Sequence, residues 1–168
     1  GKVVITGIGK SGHIGKKISA TLASTGTNSV FINAAEALHG DLVVIKQGDI
    51  VLAISNSGNS DEISNILPSI RRIGASIVAF TGNKISALGK EADLIINIAI
   101  DREACPMGLA PMTSATVTLV MGDALTAALM QKRDFKPENY AVYHPGGSLG
   151  RRLLLKVKDV MHKNDELP

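Results

Sequence analysis

The chain has 168 residues, 45% hydrophobic, 20% charged and 3% aromatic, with one Cys, no Trp and a formal net charge of +3. That apolar fraction excludes intrinsic disorder, the single Cys excludes a disulfide scaffold or a cysteine-built metal site, and the scarcity of rings argues against nucleobase stacking. The basic pairs Lys16-Lys17, Arg71-Arg72 and Arg151-Arg152 are scattered rather than gathered in a stripe, no apolar run reads as a transmembrane span and no signal peptide opens the chain, so neither nucleic acid nor membrane is an expected partner and a reducing cytoplasm is the expected compartment.

Lys2 to Thr6 is an apolar, β-branched run ended by Gly7 and reads as a buried strand. It lies almost at Gly1, with no initiator Met or leading helix, so the chain is expected to be a fragment or the ordered part of a longer protein. After a glycine-rich turn, helical spacing covers Ile14 to Ala23, with Ile14, Ile18 and Leu22 on one face. Ser29–Ile32 and Asp49–Ile54 are the next strands. A helix follows over Asp61–Ile73 with Ile63, Ile66, Leu67 and Ile70 as its stripe. Ser76–Phe80 is a fourth strand, Ile85–Glu91 a short helix, and Leu94–Ile98 a fifth strand. Thr113–Lys132 is a long helix, apolar on much of its circumference and suited to a central or interface position. A polar stretch then runs to Tyr143, followed by the turn His144-Pro145-Gly146-Gly147 and a basic segment to Leu155. Strands alternating with helices predict an α/β three-layer sandwich, a five-stranded parallel sheet flanked by helices. Ligands in such folds sit beyond the carboxyl ends of the strands, which singles out the loops after Thr6, Ile54 and Ile100.

Gly7-Ile8-Gly9-Lys10-Ser11-Gly12 follows a strand and opens a helix, as a dinucleotide fingerprint does. The acid that fingerprint needs after the second strand is missing, because Asn33 stands there. A P-loop fails as well, since Val4 stands where it needs Gly. What remains is a turn whose backbone N–H groups can approach an anion beside Lys10, against the plainer reading of a tight turn with an exposed Lys.

Ser55-Asn56-Ser57-Gly58-Asn59-Ser60 is more specific, placing small hydroxyls directly before a helix N-terminus, where a monophosphate is favoured. Ser60 is also the expected N-cap of that helix, with Glu62 in its first turn. The loop from Asp101 to Pro111 is long and non-repetitive. In it Glu103 is expected to lie against an apolar wall, where desolvation would raise its pKa toward a proton-transfer role. Read alone, it would be a solvated surface Glu. His39 and His144 are the histidines of interest, and His13 and His162 read as incidental. No metal-ligand spacing is present, so neither a metal nor a cofactor is expected.

Gly9-Lys10-Ser11-Gly12, Ser55-Asn56-Ser57-Gly58 with Glu62, Glu103-Ala104-Cys105-Pro106 and Tyr143-His144-Pro145-Gly146-Gly147 occur together and in order. This set resembles the sugar isomerase (SIS) domain of bacterial arabinose-5-phosphate isomerases, over essentially the whole chain. Asn59 departs from it, since several relatives have Glu there. The resemblance implies a flavodoxin-like SIS fold and interconversion of D-ribulose 5-phosphate and D-arabinose 5-phosphate through an enediol(ate). The product would be the precursor of 3-deoxy-D-manno-octulosonate for lipopolysaccharide or capsule. It implies Lys10, Glu62, Glu103 and His144 as catalytic, with Glu103 or Glu62 as the base. Gly9, Ser11, Ser55, Ser57, Ser60, His39 and Thr113 would bind substrate and phosphate. It also implies a homo-oligomer, a tetramer with sites between subunits. Residues 1–155 would form the isomerase domain, and 156–168 a linker with Lys156–Met161 as the first strand and turn of a truncated CBS-like domain. A non-catalytic phosphosugar sensor and another SIS isomerase or lyase are the alternatives. Sensors carry a helix-turn-helix, and none is visible in this sequence.

Overall fold

The β-branched runs Val3-Val4-Ile5-Thr6, Val30-Phe31-Ile32 and Ile50-Val51-Leu52 form strands β1 (Val3–Gly7), β2 (Ser29–Asn33) and β3 (Ile50–Ile54). With β4 (Ser76–Thr81) and β5 (Leu94–Asn97) they make a parallel sheet in the order β2-β1-β3-β4-β5. Val3 lies opposite both Ser29 and Ile50, Ile50 opposite Ser76, and Val78 opposite Leu94. The computed structural model describes residues 1–147, 150, 152–153 and 155–161, and His162 lies outside them.

The period of two along each strand sends alternate residues to opposite layers. Ile5, Leu52, Ile54 and Phe80 pack toward α1 (Gly9–Ser24) and α5 (Thr113–Lys132). Val4, Val51, Ala53, Ile77 and Ala79 pack toward α2 (Ala34–Ala37), α3 (Asp61–Ile73) and α4 (Ala87–Glu91). The stripe Ile63, Ile66, Leu67 and Ile70 is fully buried, as its spacing predicts. The expected three-layer α/β sandwich is therefore the observed one.

Four local expectations are corrected. Helix α1 starts five residues earlier than its apolar spacing suggested, because Gly12 is a buried helix residue fitted against the Gly7 backbone rather than a turn residue; Gly15, inside the expected helix, packs on the Phe31 ring. The polar stretch before Tyr143 contains α6 (Pro137–Tyr143), with Pro137 at its first position and the Asn139 side chain accepting the Lys136 N–H at 2.9 Å. Val157–Val160 is a helical turn, α7, not the expected strand; among the described residues no strand lies beside it to pair with, and the segment closes the local bond from Met161 N–H to the Val157 carbonyl, 2.9 Å. Finally, α5 has 20 residues at a mean hydropathy of 1.3, long and apolar enough to cross a membrane by length and composition. Here it packs on α1, with Ser114, Thr118, Gly122 and Thr126 as its buried residues and a Lys17–Asp123 ion pair across the two helices.

The base of the sheet is tied by Asp49, which is 3% exposed. Its carboxylate accepts from the Lys2 amide at 2.9 Å, the Lys2 ammonium at 2.6 Å and the Lys46 amide at 2.8 Å. Burial pushes this carboxyl up, but the Lys2 and Lys46 donors outweigh it and bring the pKa down to about 2. A carboxyl depressed on folding stabilises the fold above its unfolded pKa, and that contribution fades as pH falls through the folded value. Asp49→Asn is expected to cost about 1–3 kcal/mol at neutral pH. It should also flatten the acid loss of stability between the ordinary carboxyl range and about pH 2. Urea midpoints of both proteins across that range check this.

Candidate active site

Strands β1 and β3 are neighbours, yet the helices that follow them pack on opposite faces of the sheet. The chain therefore opens a crevice between their carboxyl ends, the switch point at which doubly wound sheets bind ligands. A cavity of about 220 Å³ lies at this end, lined by Lys10, Ser11 and Ile14 of α1, Asn56 after β3, and Ser114 and Thr118 of α5.

Gly9 opens α1 at φ +56°, a left-handed conformation that a side chain would strain. The preceding Ile8 offers no side-chain cap, so the first N–H groups of α1 remain available to an anion. Lys10 is exposed at the cavity and, among the described residues, has no carboxylate partner.

The serine loop is built as a unit. Ser55 is buried, and its hydroxyl accepts the Gly58 N–H at 3.1 Å and bonds the Ser60 hydroxyl at 2.9 Å. The Ser57 oxygen accepts from the Asn59 N–H at 3.3 Å. Ser60 occupies the N-cap position of α3, but the expected side-chain cap is not made, because its hydroxyl is taken by Ser55 instead. The N-terminus of α3 is therefore uncapped by that side chain, which suits it to an incoming anion. Asn59 faces away from this role: its side-chain oxygen accepts the Ala87 N–H at 3.0 Å and steadies the start of α4. Glu62 is half-buried in the first turn of α3, and its carboxylate makes no hydrogen bond among the described residues.

Glu103 reverses its expectation. Its Oε2 accepts from the Met112 N–H at 2.7 Å and the Ser114 N–H at 3.3 Å, and the Ser114 hydroxyl donates to Oε1. The Ser114 hydroxyl, with the amides, holds this carboxyl below the usual range despite some desolvation. Glu103 thereby caps α5, whose N-cap residue Met112 supplies no side-chain bond. Thr113 also ties this loop to α5. Its hydroxyl oxygen accepts the Ala104 N–H at 2.8 Å, and it lines a separate hollow with Ala99 to Ala104 rather than the Lys10 cavity. No three His, Cys, Asp or Glu side chains converge among the described residues.

Neither of the two histidines lines the cavity. His39 is exposed after α2, and its backbone N–H donates to the Glu36 carbonyl at 2.9 Å. His144 follows α6, stacked on Tyr140 with ring centroids 3.8 Å apart, its Nδ1 2.9 Å from the Tyr140 carbonyl. Helix α5 runs from the cavity at Ser114 toward the starts of β1 and β3, where Leu129 and Arg133 line a hollow with Val3, Thr27 and Ile50. Arg133 bonds the Gly26 carbonyl at 3.2 Å and the Thr27 hydroxyl at 2.9 Å, both before β2, and Phe135 lies stacked toward Tyr143 at 6.3 Å. Twenty helical residues span about 30 Å, so one chain holds His144 and Lys10 at opposite ends.

The fold thus brings Lys10 and Ser11 together with Asn56 and Ser114, residues that the sequence reading did not single out. Asn56 was legible in principle, since it interrupts the serine loop at the strand end. Its carbonyl is fixed by the Gly82 N–H at 2.9 Å and the Thr81 hydroxyl at 3.3 Å. Ser114 carried no signal beyond its place in the first turn of α5.

Residues 1–128 match the model of the SIS domain family. The chain is 56% identical over all 168 residues to the arabinose 5-phosphate isomerase KdsD of Pseudomonas aeruginosa, covering 52% of that protein. It is 52% identical to KdsD of Escherichia coli K12, again over the full chain and 51% of the relative. The chain therefore spans about half the length of these curated relatives. Among solved structures, an Escherichia coli CFT073 protein described in complex with arabinose 5-phosphate superposes with a TM-score of 0.84 at 46% identity, covering 86% of this chain and 77% of that one. With a family match over most of its length and a doubly wound sheet bearing the serine loop at its switch point, the chain belongs to the SIS domain family.

Proposed function

We propose that this chain is the isomerase domain of an arabinose 5-phosphate isomerase, interconverting D-arabinose 5-phosphate and D-ribulose 5-phosphate. The observation that carries the reading is the convergence of Lys10, Ser11, Asn56 and Ser114 on one strand-end cavity, beside the uncapped serine loop and the anionic Glu103. The names of the full-length KdsD relatives supply the substrate.

An aldose–ketose isomerase moves a proton between C1 and C2 and a second between the oxygens. Ser55, Ser57, Ser60 and the amides opening α3 hold the phosphate, and that remote binding steadies C1–C2 at the chemistry. Glu103 takes the C2 proton and returns it at C1. Lys10 stabilises the enediolate oxygen that forms between those steps, which offsets the modest basicity of a carboxylate held by three donors. His144 opens the ring or carries the hydroxyl protons, and because it lies at the far end of its own chain it acts in the site of a second copy. A closed homotetramer provides that arrangement. His39 adds a contact at the rim. Residues 1–155 form this unit, and 156–168 are the linker to a CBS-like domain. The product feeds 3-deoxy-D-manno-octulosonate synthesis for lipopolysaccharide or capsule in the cytoplasm.

The direct test is incubation with arabinose 5-phosphate in heavy water. Ribulose 5-phosphate with deuterium at C1, and deuterium at C2 of recovered aldose, is expected. Phosphosugar binding with neither label would assign a sensor instead. The shared site has its own test. Lys10→Met and His144→Ala are each expected to be inactive, whereas the two co-expressed regain activity in mixed oligomers carrying one intact site. A co-purified mixture that stays inactive removes His144 from the neighbour's site.

A further inference from the structure

We propose that Ser114 is a positioning residue for the isomerisation, holding the Glu103 carboxylate beside the cavity that Ser114 itself lines, through a bond from its hydroxyl to one oxygen. The proposal rests on the reading of Glu103 as the base. Ser114 is 4% exposed and lines the same cavity as Lys10, Ser11 and Asn56, so it joins the capping of α5 to the ligand space.

Its hydroxyl is used unlike its neighbours'. Thr116, Thr118 and Thr126 turn their hydroxyls back to carbonyls of their own helix, at 2.9, 2.7 and 2.9 Å. Ser114 reaches across to a residue eleven positions earlier. The division of labour between the two carboxylate oxygens follows. Oε2 accepts two backbone N–H groups, which can only donate. Oε1 is met by a hydroxyl, which donates to the anion and can rotate to accept once that oxygen carries a proton. Oε1 is therefore the oxygen equipped to gain the C2 proton and release it at C1, with Ser114 matching both states. Thr113, gripping the Ala104 N–H, fixes the adjacent peptide so that the carboxylate stays in register.

The charged groups around Glu103 are few. Asp101 and Arg102 share its loop with the Cys105 thiol, Lys10 lines the cavity that Ser114 also lines, and α5 carries no ionisable side chain from Thr113 to Gly122. Removing the hydroxyl leaves Glu103 with amide donors only, and its carboxyl should rise toward the ordinary value, consistent with Ser114 being the largest contributor that lowers it.

The experiment compares wild type, Ser114→Ala and Ser114→Thr in two readouts. In kcat/KM against pH, the acid limb of Ser114→Ala is expected to move to higher pH, with kcat at neutral pH down by up to about 10²-fold and KM nearly unchanged. Ser114→Thr keeps a hydroxyl and should restore the limb. The second readout is the ¹³C titration of the Glu103 carboxyl, assigned with Glu103→Gln and run without substrate. An unmoved titration in folded Ser114→Ala overturns the proposal whatever the activity. A moved titration with an unmoved rate profile in an active enzyme overturns the positioning role. A titration moved by Ser114→Ala, with a wild type that never isomerises arabinose 5-phosphate, keeps the Ser114–Glu103 coupling and removes the reaction reading instead.

Discussion

Glu103→Gln is expected to lower turnover of arabinose 5-phosphate by about 10²–10⁴-fold while phosphosugar affinity stays close to wild type. The substitution is unusually clean at this position because of how the carboxylate is held. The amides of Met112 and Ser114 both point at Oε2, which must remain an acceptor. Among the described residues the Ser114 hydroxyl alone hydrogen-bonds Oε1, and a hydroxyl can turn to accept from the new amide nitrogen placed there. Gln therefore keeps the cap on α5 and removes the charge and the proton acceptor together. Glu103→Ala, by contrast, also leaves the first-turn amides of α5 without their partner, at a cost of about 0.5–2 kcal/mol. Steady-state kinetics in both directions, with thermal melts of both variants, separates the two effects. Wild-type turnover in a folded Glu103→Gln protein would move the base role to Glu62, whose half-buried carboxylate carries no hydrogen bond among the described residues.

The parts legible in the sequence are those decided by local pattern. Strands buried on both faces read as near-continuous apolar runs, so Val3 to Thr6 and Ile50 to Ile54 declared themselves, and a stripe at helical spacing declared α3. What stayed hidden was decided by partners distant in the chain. Gly12 looks like a turn residue until the Gly7 backbone and the Phe31 ring are packed against it. Ser60 has the right place for an N-cap, yet Ser55 competes for its hydroxyl. Glu103 was expected to rise in pKa because the residues around it in sequence are apolar, but the donors that lower it come from α5. The separation of His144 from Lys10 follows from the length and direction of α5, and direction is a tertiary fact. The serine loop is the instructive middle case: its composition announced an anion site, whereas its internal bonding, on which its shape depends, did not.

Gly58→Ala is expected to destabilise the fold by about 2–4 kcal/mol and to weaken phosphosugar binding more than any single serine substitution in the same loop. Two independent penalties meet at this residue. Its φ of +68° lies in the left-handed region, where a side chain costs roughly 1–2 kcal/mol. A Cβ there would also fall 2.0 Å from the Ser86 hydroxyl, 2.6 Å from the Ser86 Cβ and 2.8 Å from the Thr81 hydroxyl, contacts that require movement. Ser86 cannot swing away freely, because its oxygen accepts the Gly89 N–H at 3.1 Å as the cap of α4 and donates to the Asn83 carbonyl at 2.6 Å. The displacement has one other direction to go, into the loop, where the Gly58 N–H anchors the Ser55 hydroxyl and its carbonyl receives the Leu88 N–H at 3.0 Å. Pairing Gly58→Ala with Ser86→Gly separates the penalties. Ser86→Gly alone should cost a few tenths of a kcal/mol as a cap replacement. In the double variant it should return part of the loss, since the Ser86 overlap is gone while the strained φ and the Thr81 contact stay. Denaturant midpoints for the four proteins give the coupling energy directly. Strict additivity would mean that Ser86 is not what Gly58 makes room for, and the strain at φ +68° would then carry the whole effect.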